Sequence, residues 1–169
     1  MTISKLSLKF FAFALAAVLL KPVVATAQPS DEASIRALET RFAAAVVAKN
    51  VDAIMKTYAP DVFVFDLVPP RQYVGAAAYA EDWHDLFAGF SGPVHFEISD
   101  LAISTDGTIA YSHSIQRLSG ADPSGGKVDI TSRVTDIYRK VAGHWRIVQE
   151  HVSVPVDLAT GKPDFTSKP

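Results

Sequence analysis

The sequence predicts a single α+β domain, and three observations carry that prediction. Apolar residues recur at three- and four-residue spacing in the first part of the chain, alternate in the second part, and show no internal repeat. Helix-period segments therefore come first and strand-period segments later, an order that differs from a βαβ repeat. With 49% hydrophobic and 20% charged residues, the 169-residue chain has the composition of one folded domain able to bury a core.

The first 27 residues read as a secretory signal peptide. Lys5 and Lys9 supply the positive start, Phe10 to Leu20 an apolar run, and Ala25-Thr26-Ala27 the small residues of a cleavage site before Gln28-Pro29-Ser30. The apolar run is shorter than the roughly 20 residues a membrane-spanning helix needs. The expected organisation is a signal peptide over 1–27, one domain over 28–154 and an irregular tail over 155–169, where Gly161, three prolines and few apolar residues oppose regular structure.

From Ser34 to Lys49 the apolar positions Ile35, Leu38, Phe42, Ala45 and Val46 define an amphipathic helix that Ser30 or Asp31 can cap. Asn50 ends it. Asp52 opens a short second helix bearing Ile54, Met55 and Tyr58, closed by Pro60. Val62 to Asp66 is a brief apolar strand, and Pro69-Pro70 forces an irregular turn. Gly75 then precedes a third helix from about Ala76 to Phe87, with Tyr79, Trp83 and Phe87 on one face.

His95 to Ile103, Ala110 to Leu118, Val128 to Val141 and Trp145 to Val154 alternate as strands of an antiparallel sheet. Asp106-Gly107, Gly120 to Gly126 and Ala142-Gly143 are the turns between them. Alternation on the last strand puts Trp145, Ile147, Gln149, His151 and Ser153 on one face and Arg146, Val148, Glu150 and Val152 on the other. A tight hairpin at Ala142-Gly143 sets His151 across from Val134 and Gln149 across from Asp136. One face then collects Asp136, Tyr138, Gln149, His151 and Ser153, a polar and aromatic mixture that suits a pocket better than a core.

Charge and motifs exclude several function classes. Removing the signal peptide takes away Lys5, Lys9 and Lys21 and leaves 13 basic against 18 acidic side chains. Neither nucleic acid nor an anionic membrane surface is an expected partner of that balance. The five histidines, His84, His95, His113, His144 and His151, are scattered singly, so no metal site is expected. There is no Gly-rich phosphate loop before a helix and no Gly-x-Ser-x-Gly elbow, so no cofactor and no covalent acyl chemistry are expected. The chain has no cysteine, which removes a lipoprotein anchor and leaves stability to packing alone.

Arg41-Phe42, Asp52, Tyr58-Ala59, Asp61 and Asp66 resemble the opening of ketosteroid isomerase. Arg133-Val-Thr-Asp-Ile-Tyr138, Gly143-His-Trp145, Ile147-Val and Glu150-His151-Val-Ser153 resemble the SnoaL-like branch of the same nuclear-transport-factor-2-like superfamily. The resemblance implies a cone-shaped curved antiparallel sheet wrapped around three N-terminal helices, a deep pocket at one end, and a homodimer formed through the outer sheet face. It also places Asp66 where the isomerase carries its catalytic carboxylate. The match departs at Phe42, where the isomerase has a tyrosine, so an oxyanion donor must come from Tyr58, His113, Tyr138 or His151.

The catalytic candidates are thus Asp66, His113 and His151, with Tyr58, Trp83, Arg133, Asp136, Tyr138 and Gln149 as substrate contacts. Arg133 either holds a substrate carboxylate or pairs with Glu150. Two functions stay open from sequence. One is an exported, cofactor-independent acid/base enzyme acting on a small apolar or aromatic molecule, such as a lyase, isomerase, dehydratase or cyclase. The other is a non-catalytic binding or assembly module of the same fold. An enzyme needs two ionisable groups within reach of one substrate atom.

Overall fold

The computed structural model describes residues 30–166, so the signal-peptide reading of residues 1–27 lies outside the described residues. Helix α1 spans Asp31–Val47, α2 Val51–Met55 and α3 Ala76–Ala88; strands are β1 Tyr58–Phe65, β2 Tyr73–Val74, β3 Ser91–Thr105, β4 Ile109–Ala121, β5 Lys127–Val141 and β6 His144–Ser153. None of the described helices is long and apolar enough to cross a membrane.

Each helix forms where its sequence dictates. The Ser30 hydroxyl accepts the Ala33 amide at 3.1 Å, and Asp31 and Glu32 face the positive end of α1. The stripe Ile35, Leu38, Phe42, Ala45 and Val46 is buried, and Glu39 is buried with it. Asn50 caps α2 by accepting the Ala53 amide at 2.9 Å. Gly75, at φ 87°, starts α3 in a conformation closed to most residues, and its amide donates to the Val62 carbonyl at 2.7 Å. Tyr79, Trp83 and Phe87 form the buried face of α3.

Among the described residues six strands make one curved sheet in the order β2-β1-β6-β5-β4-β3. The expected all-antiparallel sheet is instead mixed, because β1 runs parallel to β6. Tyr58, read from sequence as the end of the second helix, opens β1, and the two-residue β2 has no counterpart in the sequence reading. The hairpin between β5 and β6 closes as expected, with Ala142 at φ 49°, Gly143 at φ 79° and Val141 opposite His144.

Within that hairpin the register slips by one residue. Tyr138 pairs with Ile147 whereas Ile137 pairs with Gln149, which leaves Val148 as an extra residue on β6. An inserted residue reverses side-chain parity beyond it. Trp145 and Ile147 point to the core as read from sequence, but past Val148 the inward side chains are Glu150 and Val152, with Glu150 buried and His151 exposed. The tail is less irregular than expected. Val156 bridges Pro163, and the Thr131 amide of β5 donates to the Phe165 carbonyl at 2.9 Å.

Candidate active site

A cavity of about 540 Å³ lies between α3, the segment after β1 and the inner face of the sheet. Phe42 from α1, Trp83 and Leu86 from α3, and Phe96, Leu118 and Val152 from the sheet give it apolar walls; Gln116 and Ser132 interrupt them. Asp66 and Glu150 both line it, and so does Tyr79. Strand β1 delivers Asp66 at its end, the bulge in β6 turns Glu150 inward, and the stripe of α3 brings Tyr79 between them.

The Tyr79 hydroxyl lies 2.9 Å from Asp66 Oδ2 and 2.6 Å from Glu150 Oε1. Tyr58 donates to the other Glu150 oxygen at 2.7 Å, and the Leu67 amide donates to Asp66 Oδ1. Burial pushes the Glu150 carboxyl up to about 7, opposed by the hydroxyls of Tyr79 and Tyr58 and reinforced by the charge of Asp66. Burial likewise raises Asp66, against the Leu67 amide and Tyr79 hydroxyl that favour its ionised form. Both tyrosines are held well above their ordinary range, first by burial and then by the neighbouring carboxylate, so they remain protonated donors.

A second polar layer lies behind the cavity wall. Asp136 stands opposite Glu150 in the β5–β6 register. The two carboxyls influence each other's proton affinity, and a proton held by one lets it donate to the other. Without that proton Asp136 Oδ1 has no partner among the described residues. Burial and the adjacent Glu150 and Glu39 raise Asp136 far above the usual carboxylate range. Tyr138 donates to Glu39 Oε1 at 2.9 Å and shares a 2.8 Å hydrogen bond with the Ser112 hydroxyl. Glu39 is pushed by burial to about 7.

The structure sorts the sequence candidates into three groups. Asp66 and Trp83 line the cavity. Tyr58, Asp136 and Tyr138 are buried behind it, where they brace Glu150 and Glu39 rather than touch a ligand. His113, His151 and Arg133 are exposed on the outer sheet face, with Gln149 half-buried there, so the reading that turned them toward a pocket is corrected. The bulge at Val148 is the cause for Gln149 and His151: His151 is opposite Thr135, not Val134, and its ring packs on Phe65 at 5.5 Å. Strand parity is the cause for His113 and Arg133, because Ser112, Ser114, Val134 and Asp136 take the inward positions beside them. Arg133 consequently does not meet Glu150.

Three positions of the cavity and of the polar layer behind it went unread. Glu39 had a signal, since it falls on the apolar stripe of α1 between Leu38 and Phe42, where a carboxylate needs a buried partner. Tyr79 had a weaker one, as a hydroxyl on the core face of α3 must find an acceptor. Glu150 had none, because its facing depends on the bulge.

Residues 35–157 match the profile of the SnoaL-like domain. No curated protein matches the chain. Among solved structures, an NTF2-like protein of unknown function from Pseudomonas putida is 32% identical, covering 83% of this chain and 99% of its own, with a TM-score of 0.74. A ketosteroid isomerase-like protein from Erwinia carotovora is 20% identical over 72% of this chain and 93% of its own, at a TM-score of 0.61. A protein named as a candidate scytalone dehydratase, from Novosphingobium aromaticivorans, is 15% identical over 80% of this chain and 93% of its own, at 0.64. The last two likenesses are of fold.

Proposed function

The chain belongs to the SnoaL-like family of the NTF2-like fold, and from that premise we propose that it is a cofactor-independent acid/base enzyme acting on a small, largely apolar or aromatic molecule in the cavity beside Asp66. One observation carries the proposal: a single tyrosine hydroxyl bridges two carboxyls that line the same cavity, at 2.9 and 2.6 Å. Asp66, raised by burial but still favoured as an anion by the Leu67 amide and Tyr79, is the base. Glu150, held to about 7, is the acid.

The proton count closes. Asp66 takes a proton from a substrate carbon, and Glu150 gives one to a substrate oxygen, as enol formation or loss of water requires. A proton then passes from Asp66 through the Tyr79 hydroxyl to Glu150 and restores both groups. Isomerase-like and dehydratase-like names among the fold neighbours agree with these reaction types. The proposal includes export through residues 1–27. It also includes a homodimer across the outer sheet face, where Ile109 and Tyr111 are each more than half exposed.

The test is to identify by mass spectrometry the molecule that co-purifies with the protein, and then to assay its conversion. Asp66→Asn and Glu150→Gln should each lower kcat by about 10²- to 10⁴-fold with the fold intact. Full activity in both variants would remove the acid/base pair. A ligand that is held without being converted would make the cavity that of a binding module.

A further inference from the structure

We infer that the molecule this cavity takes is cationic: an aromatic or apolar body carrying a protonated amine. The inference rests on reading the cavity as a ligand site. It comes from the cavity's charge pattern, in which Asp66, Glu81, Asp82, Asp85 and Glu150 line the space and, among the described residues, no lysine, arginine or histidine does. Glu81 and Asp85 are exposed at the rim on α3, and Asp82 is fixed there by the Tyr73 hydroxyl at 2.6 Å. The chain does not lack cations elsewhere. Arg41, Lys56 and Arg146 gather around a separate hollow between α1, α2 and β6 that contains no carboxylate.

The walls fit the same ligand. Phe42 stands edge-on to Trp83 and to Phe96, each at 5.7 Å, and Tyr79 lies 6.0 Å from Trp83, giving a continuous aromatic wall beside the acidic end. Ring faces and carboxylates both attract an ammonium group, and the attraction strengthens as water leaves. An anionic ligand would have to pass Glu81 and Asp85 and settle beside Asp66 and Glu150 with no counterion, a buried like-charge arrangement that is strongly unfavourable.

Binding of a cation is linked to protons. Glu150 is faced by Tyr58 and Asp66 from β1 and its end, Tyr79 from α3, and Asp136 from β5, with Glu39 of α1 in the next layer. All of these groups are acidic or neutral, so no cationic side chain among the described residues offsets the charge of Asp66 in the empty cavity. An ammonium group beside Asp66 favours its ionised form, against the burial that favours its proton, and leaves the Glu150 proton in place. Affinity for a cation should therefore rise with pH as Asp66 gives up its proton.

Three probes with one indole body test this: tryptamine, which is cationic, tryptophol, which is neutral, and indole-3-propionate, which is anionic. Titration calorimetry on the full chain should give tryptamine the lowest Kd, by about tenfold over tryptophol, with indole-3-propionate weakest. The tryptamine affinity should rise from pH 5.5 to pH 8 with proton release. Glu81→Gln with Asp85→Asn, both at the rim, should narrow the tryptamine preference and leave tryptophol unchanged. Tryptophol binding as tightly as tryptamine, or a preference for indole-3-propionate, overturns the charge inference while leaving the cavity a ligand site. Failure of all three at millimolar concentration overturns the ligand site itself.

Discussion

A tyrosine hydroxyl has one proton to give, so Tyr79 cannot donate to Asp66 and Glu150 at once. With Glu150 protonated, the arrangement that satisfies every atom is Glu150 donating to the Tyr79 oxygen and Tyr79 donating to Asp66. Tyr58 stays on the second Glu150 oxygen. Once Glu150 is ionised, Tyr79 can turn and donate to it, so the hydroxyl favours the ionised form of either carboxyl while burial favours the protonated one. Replacing Tyr79 by Phe keeps the ring and removes the hydroxyl. We expect both carboxyls to titrate at higher pH in Tyr79→Phe, and stability to fall by about 1–2 kcal/mol from the lost charged hydrogen bonds. Carboxyl carbon shifts in an NMR titration read the first quantity, and a Glu150 titration that stays in place would show that Tyr79 does not set it.

The hairpin of β5 and β6 shows what is legible in a sequence at the level of elements. Ala142-Gly143 announces its turn, and positive φ at both residues fulfils it. Ala at the first of these positions is strained, so Ala142→Gly should stabilise the chain by about 0.5–1 kcal/mol, or about 2–4 °C in a thermal melt. An unchanged or lower melting temperature would mean that the turn is not strained by its methyl. The apolar stripes of α1 and α3 were equally readable, as were the four long strands and the position of Asp66. The bulge was not. Val148 looks like any other strand residue, and the slip depends on β6 pairing with β5 on one side and β1 on the other. Parity carried Trp145 and Ile147 to the correct face and then placed His151 where Glu150 stands. The parallel β1–β6 pairing was hidden for the same reason: it joins segments some 85 residues apart, and no local period records it.

Across the whole molecule, the buried carboxyls set how stability depends on pH. Glu39 and Glu150 are raised from 4.5 to about 7, and Asp136 and Asp66 are raised as well, in each case chiefly by burial. A folded state that holds protons the unfolded chain would release is favoured at low pH. This contribution is complete below about 4.5 and disappears as pH climbs through about 7. Surface carboxylates act in the opposite sense and in a different window. Asp106, lowered to about 2 by the backbone and hydroxyl of its turn, and Asp129, lowered by Arg117 and Lys127, favour folding above the ordinary carboxylate range and lose that effect only in acid. The two windows leave maximal stability near pH 5. One pKa unit is about 1.4 kcal/mol, so a single buried glutamate accounts for a fall on the order of 3 kcal/mol between pH 5 and pH 8. Thermal melts at constant ionic strength should show a melting temperature several degrees lower at pH 8 than at pH 5.5. Glu39→Gln keeps an acceptor for the Tyr138 hydroxyl and cannot ionise. It should raise the melting temperature at pH 8, change it little at pH 5, and flatten the slope between them. A wild-type chain that becomes more stable from pH 5.5 to pH 8 would contradict this account, because Glu39 and Glu150 would then have to fold in their charged forms without penalty.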